Sequence, residues 1–476
     1  MSPPLKPWQP EGVQFLMKGR IRLLADDMGL GKSCQVVEAA RRLGLKRMLL
    51  LCPKTPKHQW LREFDRFDPE HPPIKVMHGL RDELPDDGHV ICTYEFARVR
   101  APDLCIWGPW DCLVIDEFHE LRGTKAKRTR AILHPTEGIV ARVKRMWALT
   151  GTPIANHVGE LYPLLKLAGI YPHDLRTFVQ KFCSTYYDQT RGEIKITGVN
   201  PRSLPDLHAL LDNSGIMLRR LKKDVMPELP PIVFEHVELK KGEVQLEAIF
   251  PAWELTGRMR ELVERIEDQR AALGGILDGI ETERLTFSEG VDMLAAQAGS
   301  ISELRLLQGA QRIAGVVELI REELTLGLYP KIFLAPWHTI VIEGLAEGLK
   351  DFGVAKVYGG TTDKGRVNAI EKFTHDPECR VFIGQIKACG PAVNLTAKGK
   401  CHEVGLIEQS FVPSENSQAI TRPHRIGAVR EVRARLFTLD DPQDKRFNEI
   451  VFRKSIEIAK AMRENLFLSH EFDPIK

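Results

Sequence analysis

One stretch near the start limits what this chain can fold into more than any other. An apolar run, Ile21–Ala25, gives way to Asp26-Asp27-Met28-Gly29-Leu30-Gly31-Lys32-Ser33, and a helical pattern follows. A strand, a glycine-rich loop and a helix in that order form a cradle for phosphate. Glycine lets the backbone curl so that its N–H groups converge, and the helix N-terminus adds a positive field. Lys32 would reach the terminal phosphates and the Ser33 hydroxyl would hold Mg²⁺, with Cys34 closing the loop. The strict GxxxxGK[ST] pattern needs a glycine where this chain has Asp26, so a glycine-rich turn capped by serine stands as the competing reading.

A second stretch supports the phosphate reading. Cys112–Ile115 reads as a buried strand ending in Asp116-Glu117-Phe118-His119. Carboxylates at a strand end lie at the carboxyl edge of an α/β sheet, where such folds bind ligands. Asp116 could hold Mg²⁺ through water, and Glu117 could activate an attacking water. Near the far end, Arg422 and Arg425 are three residues apart. They could bring positive charge to a γ-phosphate, although that spacing alone is commonly a solvated face.

Hydrophobic residues make up 43% of the 476 and charged residues 28%, which excludes a disordered or fibrous chain. With 67 Lys and Arg against 64 Asp and Glu, the global charge predicts neither a histone-like binder nor an acidic protein, so any nucleic-acid contact must be local. No apolar run approaches the roughly 18 residues that span a bilayer, and the start has no secretion signal. The nine cysteines are scattered with no CxxC pair, which fits reduced thiols better than disulfides or a zinc ribbon.

The first 230 or so residues alternate apolar runs with amphipathic stretches, and strands are expected at Ile21–Ala25, Arg47–Cys52, His89–Thr93, Cys112–Ile115 and Met146–Leu149. Leu229-Pro230-Pro231 breaks the pattern. From about Gly242 to Leu326 helical periodicity dominates, with Leu255, Met259, Leu262 and Ile266 on one face and breaks at Gly274-Gly275 and Gly279. Strands are expected again at Lys331–Ala335, Ala355–Val357, Arg380–Gly384, Glu403–Ile407 and Arg433–Thr438. The expected architecture is α/β, with two blocks (1–232 and 327–476) of parallel sheets flanked by helices and a helical insertion (233–326) between them.

Taken in order, these residues resemble the SWI/SNF-type DNA translocases of helicase superfamily two. Leu5-Lys6-Pro7-Trp8-Gln9 looks like the Q motif, and Asp26–Ser33 like the DEMGLGKT loop. Cys52-Pro53-Lys54 with Gln59-Trp60 is similar to motif Ia, and Thr93-Tyr94-Glu95 to the next strand end. Asp116–His119 resembles the DEAH box, with Phe118 for Ala. Leu149–Asn156 is close to LTGTPxxN. Met217-Leu218-Arg219-Arg220, Lys223-Asp224-Val225 and Leu229-Pro230-Pro231 match a stretch particular to this family, and Gln418–Gly427 matches QAxxRxHRIG.

The resemblance implies two RecA-like lobes that hydrolyse ATP in the cleft between them and move on duplex or branched DNA. Lys32, Ser33, Asp116 and Glu117 would come from the first lobe, and Arg422 and Arg425 from the second. Gln9 would read adenine. Glu303–Leu324 leading into Lys331–Ala335 looks most like the annealing-helicase branch, with a role in DNA repair. The resemblance weakens at Gln385–Leu395, where the family's STRAGGxGLNL has lost two hydroxyls and two glycines, and at Phe411-Val412-Pro413, which replaces WNP. These departures bear on coupling to DNA and not on ATP binding.

Arg122, Lys125, Lys127, Arg128 and Arg130 follow the DEAH-like box with no acidic residue among them. A charge run is usually a solvated face, but behind such a box it reads equally as a DNA surface. Arg219 and Arg220 form a second cluster, Lys54 and Lys57 sit where motif Ia meets the backbone, and Asn394 belongs to the second-lobe motif. Binding through such residues should be salt-sensitive and sequence-tolerant. His119 and His424 lie inside motifs without metal-ligand spacing.

The expected function is an ATP- and Mg²⁺-dependent DNA translocase or remodeller. It would have minimal architecture and a cytoplasmic or nucleoid setting, nuclear if eukaryotic, and substrate choice would rest on the motor or on a recruiting protein. A strand-separating DNA or RNA helicase and an ATP-gated DNA-binding module are the alternatives.

Overall fold

The structure, a computed structural model, describes residues 3–54, 56–123, 126–188, 193–240, 298–387, 394–425 and 427–463. The helical stripe Leu255–Ile266, the glycine breaks after it, Lys125, Ile426 and positions 388–393 of the altered motif lie outside these residues.

Two compact units divide the chain: Met1–Cys183 with Val199–Glu228, and Ser184–Gly198 with Leu229–Lys476. The first holds strands β1 (Ile21–Leu24), β2 (Met48–Cys52), β3 (Ile74–Val76), β4 (His89–Thr93), β5 (Trp110–Asp116) and β6 (Val143–Leu149). Next in the chain come β7 (Cys183–Asp188) and β8 (Glu193–Val199), a two-stranded sheet that belongs to the second unit except for its two end residues, and then β9 (Met217–Leu218) of the first. The first sheet is parallel throughout in the order β3-β4-β2-β5-β6-β1-β9. Its central strands are buried on both faces, so they read as unbroken apolar runs such as Met48-Leu-Leu-Leu-Cys52. Helices α1 (Gln9–Met17), α2 (Lys32–Leu43) and α3 (Lys57–Phe67) share one core, through Val13 and Leu16, Val36 and Val37, and Trp60, Phe64 and Phe67 in turn.

The second unit holds β10 (Ile232–Leu239), β11 (Lys331–Ala335), β12 (Val354–Val357), β13 (Val381–Gly384), β14 (Cys401–Leu406) and β15 (Val432–Leu439), again all parallel, in the order β10-β15-β14-β11-β13-β12. Ile332 and Leu334 face one apolar cluster while Phe333 and Ala335 face another, the two-residue period of a strand covered on both sides.

The expected strands are present with shifted ends, but the expected division of the middle is not. Ile232–Leu239 is a strand paired along its whole length with β15, and the helix Ala298–Thr325 sends Leu307, Ala310, Ile313, Val316, Ile320 and Leu324 into the second core. Both ends of the proposed 233–326 insertion therefore belong to the second unit. Short β3 and β9 were not expected. With three and two residues, they carry no periodicity to read.

Candidate active site

In the first sheet the strand ends that carry the motifs are neighbours. The phosphate loop leaves β1, Asp116 ends β5, and β6 between them leads into Thr150. The loop needs its glycines. Gly29 and Gly31 have φ of 87° and 78°, and a Cβ on Gly31 would lie 2.4 Å from Gln9 Nε2. Gly31 caps α2, so Lys32 and Ser33 open that helix. The Lys32 ammonium donates to the carbonyls of Asp26 (2.8 Å) and Asp27 (3.4 Å). Met28 packs against Gly151, where a Cβ would meet its side chain at 2.5 Å.

Gln9 is buried. Its Nε2 donates to Leu30 O (3.1 Å) and its Oε1 accepts from Lys6 N (2.8 Å), while Trp8 Nε1 donates to the same Leu30 carbonyl. The amide braces the loop through one N–H and one oxygen lone pair. Cys34 Sγ donates to Gly31 O, and burial pushes its thiol up to about 12.

Asp116 Oδ2 accepts from Trp60 Nε1 at 2.8 Å, which fixes the carboxylate. Burial, then the neighbouring Glu117, push Asp116 up to about 7, with Trp60, Lys32 and His119 opposing. Glu117 sits in the left-handed region at φ 61°, which is uncommon outside glycine. Tyr94 OH holds the carbonyls of Asp116 and Glu117. His119 Nδ1 lies 3.2 Å from Glu117 Oε2 and 3.1 Å from Thr150 Oγ1. Burial opposes its charge, but the hydrogen bond and charge of Glu117 carry its pKa above the ordinary histidine range.

Three expected DNA contacts are used otherwise. Lys57 is buried with its Nζ on Met77 O (2.9 Å), because it shares the apolar stripe of Trp60, Phe64 and Phe67. Arg219 Nη1 donates to Ala25 O (2.6 Å) and Gly151 O (3.0 Å). Arg220, 9% exposed, pairs with fully buried Asp26 at 2.9 Å and 2.5 Å. Lys54 and Arg122 are exposed, and Arg122 Nε lies 3.6 Å from Glu160. The sequence marks Trp60 and Tyr94 only as members of motif-like stretches and gives Gln35 and Glu160 no role. Glu160 accepts Ala155 N (2.8 Å) and Asn156 N (3.0 Å) and so shapes the loop after β6.

In the second unit, Glu408 is 2% exposed and takes the amides of Trp337 and His338, both at 2.9 Å, as well as His338 Nδ1. Gln385 joins Trp337 O to Gly359 N. Arg305 (5.2 Å) and Lys387 (4.7 Å) both lie over the Trp337 ring. Arg422 is 1% exposed, Arg425 is half-buried, and His424 Nε2 donates to Pro230 O at 2.7 Å. Asn394 is exposed and accepts from Thr396 N.

The loop curvature, the helix start and the paired strand-end carboxylates fit a magnesium nucleotide. The SNF2-related domain matches residues 8–284, more than half of the chain. The chain belongs to the SNF2-related ATPase domain family. It is 27% identical over 437 residues to the SWI/SNF-related matrix-associated actin-dependent regulator of chromatin subfamily A-like protein 1 homolog of Caenorhabditis elegans, which covers 89% of this chain and 57% of that protein. To the DNA annealing helicase and endonuclease ZRANB3 of Bos taurus it is 24% identical, covering 90% of this chain and 38% of that one. The chain thus spans about half or less of these relatives. The Sulfolobus solfataricus SWI2/SNF2 ATPase core in complex with dsDNA aligns over 99% of this chain and 96% of its own at 22% identity and a TM-score of 0.43. No helix among the described residues is long and apolar enough to cross a membrane, and these residues hold no group of three or more His, Cys, Asp or Glu side chains placed to bind a metal.

Proposed function

We propose that this SNF2-related domain hydrolyses ATP to move along duplex or branched DNA without separating its strands. The observation that carries the reading is the convergence of Lys32, Asp116 and Glu117 on one sheet edge, with the β6 loop between them. The loop amides and Lys32 would bind the phosphates, and Ser33 with Asp116 Oδ1 would hold Mg²⁺. Bound Mg²⁺ supplies charge neutralisation at the β- and γ-phosphates. Glu117 would take a proton from the attacking water, and His119, within hydrogen-bond reach of both Glu117 and Thr150, would steady that carboxylate. Exposed Lys54 and Arg122, with Asn394, would meet the DNA backbone, and no base-reading residue is called for.

The test is ATP turnover without nucleic acid and with duplex DNA, forked DNA, single-stranded DNA and RNA, with Glu117→Gln as control. Stimulation by duplex or forked DNA that is lost in the variant is expected. Stimulation by single strands or RNA alone would replace this reading with an unwinding helicase. Tight DNA binding with no turnover would replace it with an ATP-gated binding module.

A further inference from the structure

We propose that Arg220 is a positioning residue for the nucleotide: one buried guanidinium locks the Trp8-Gln9 segment to the phosphate loop and so acts in ATP binding, not in DNA contact. The inference rests on the ATP-binding reading of that loop. A basic pair such as Arg219-Arg220 invites assignment to a phosphate backbone, but the donors here are already directed elsewhere. Nε and Nη2 form a two-pronged pair with Asp26, and Nη2 also donates to Gln35 Oε1 at 2.9 Å. Nη1 turns to the Trp8 carbonyl and lies 3.2 Å from Glu11. Gln35 continues the network, donating to Asp26 Oδ2 and Gly31 O, both at 3.1 Å.

Two chain segments are joined in this way. Behind Arg220 on one side stand Trp8 and Gln9, whose side chains both donate to Leu30 O. On the other side stands Asp26, the residue that opens the loop. Leu30 and Gly31 are held between them, and Arg219 secures the adjacent Ala25 and Gly151 carbonyls. A loop whose amides are aimed before the ligand arrives binds it more tightly than one that must be ordered on binding. Only a planar fork serves this geometry, since a lysine ammonium is a point charge that cannot hold Asp26 through two parallel bonds and reach Trp8 as well.

The experiment uses the full chain with Arg220→Lys, Asp26→Asn and Glu11→Gln. It measures Kd for ATP·Mg²⁺, KM and kcat for ATP, Kd for duplex DNA in the absence of nucleotide, and the rise in Tm on adding ATP·Mg²⁺. Arg220→Lys and Asp26→Asn are each expected to weaken ATP binding roughly tenfold or more, with KM raised more than kcat is lowered, the ATP-induced Tm rise reduced and DNA Kd within about twofold. Because the two residues act as one unit, the double variant should be no worse than the poorer single variant.

Weakened DNA binding with unchanged ATP affinity would overturn the inference and restore Arg220 to the DNA surface. A lower Tm with an intact ATP response would also overturn it, since that marks a merely structural pair. Should the buried substitutions fail to fold, Glu11→Gln decides, because its carboxylate is largely exposed. A two- to threefold rise in KM is expected there, and no rise would count against the proposal. If the unaltered chain binds no ATP, the proposed function falls and this inference with it. If it binds ATP and the folded variants match it, the inference falls alone.

Discussion

A buried glutamate performs the same task at the carboxyl edge of each sheet, with different third partners. Glu160 takes two successive amides of the loop after β6, and Glu408 takes two successive amides of the loop after β11. In each case a carboxylate replaces the water that those N–H groups would otherwise need. The other oxygen of Glu160 faces Arg122, a 40% exposed side chain at 3.6 Å, whereas that of Glu408 meets the His338 ring. The first edge is thereby linked to an exposed cation at the surface. The second edge is closed in on itself, with Gln385, Trp337 and Arg305 packed around the same turn. Burial works against the charge of Glu408, but the His338 ring and the two amides bring its pKa below the ordinary glutamate range, so its contribution to stability is lost as pH falls through that lowered value.

The largest effect should come from the edge assigned to chemistry. Glu117→Gln should lower turnover by about 10²–10⁴-fold while ATP still binds, as read by single-turnover hydrolysis beside equilibrium binding. A smaller loss would move the base elsewhere. Glu408→Ala strands two amides and a histidine, and should cost roughly 3–5 kcal/mol in urea unfolding of the second unit, against roughly 1–3 kcal/mol for Glu160→Ala in the first. The reverse order would break the contrast between the two edges.

A third expectation concerns pH. Glu403 on β14 has Arg433 no nearer than 3.9 Å, and its Oε2 accepts no hydrogen bond among the described residues. Burial pushes it up to about 7, with Arg433 and Arg435 opposing and Glu323 and Glu235 assisting. A raised carboxyl pKa gives stability that is full below the unfolded value and lost as pH rises through about 7. Glu403→Gln should therefore raise Tm at pH 8 and match the parent near pH 4, with a difference of at most roughly 3 kcal/mol. Equal Tm differences at both pH values would rule this out. The smallest effect is Trp60→Phe, which removes one hydrogen bond from Asp116 and should lower turnover by roughly fivefold, about 1 kcal/mol.

The phosphate loop, the Asp116-Glu117 pair and the Thr150–Asn156 turn were legible because each is a contiguous run following an apolar strand. The contacts of Arg219 and Arg220 were not legible because their partners, Ala25, Asp26 and Gly151, are remote in sequence, and a local view of two arginines shows only charge. Lys57 carried a usable signal, since positions 57, 60, 64 and 67 share one helix face and the other three are large aromatics. Asp26 carried one too, because a carboxylate directly after a buried strand needs a polar partner. Ile232–Leu239 was hidden by the two prolines before it, which mark the entry to an edge strand as readily as a break.

The most direct test of the central claim is displacement of a third strand from a triplex by the full chain with ATP·Mg²⁺, run beside a forked duplex that reports strand separation. Third-strand release that needs ATP, is absent in Glu117→Gln and leaves the forked duplex paired is the expected result. Separation of the fork without triplex displacement would contradict the account.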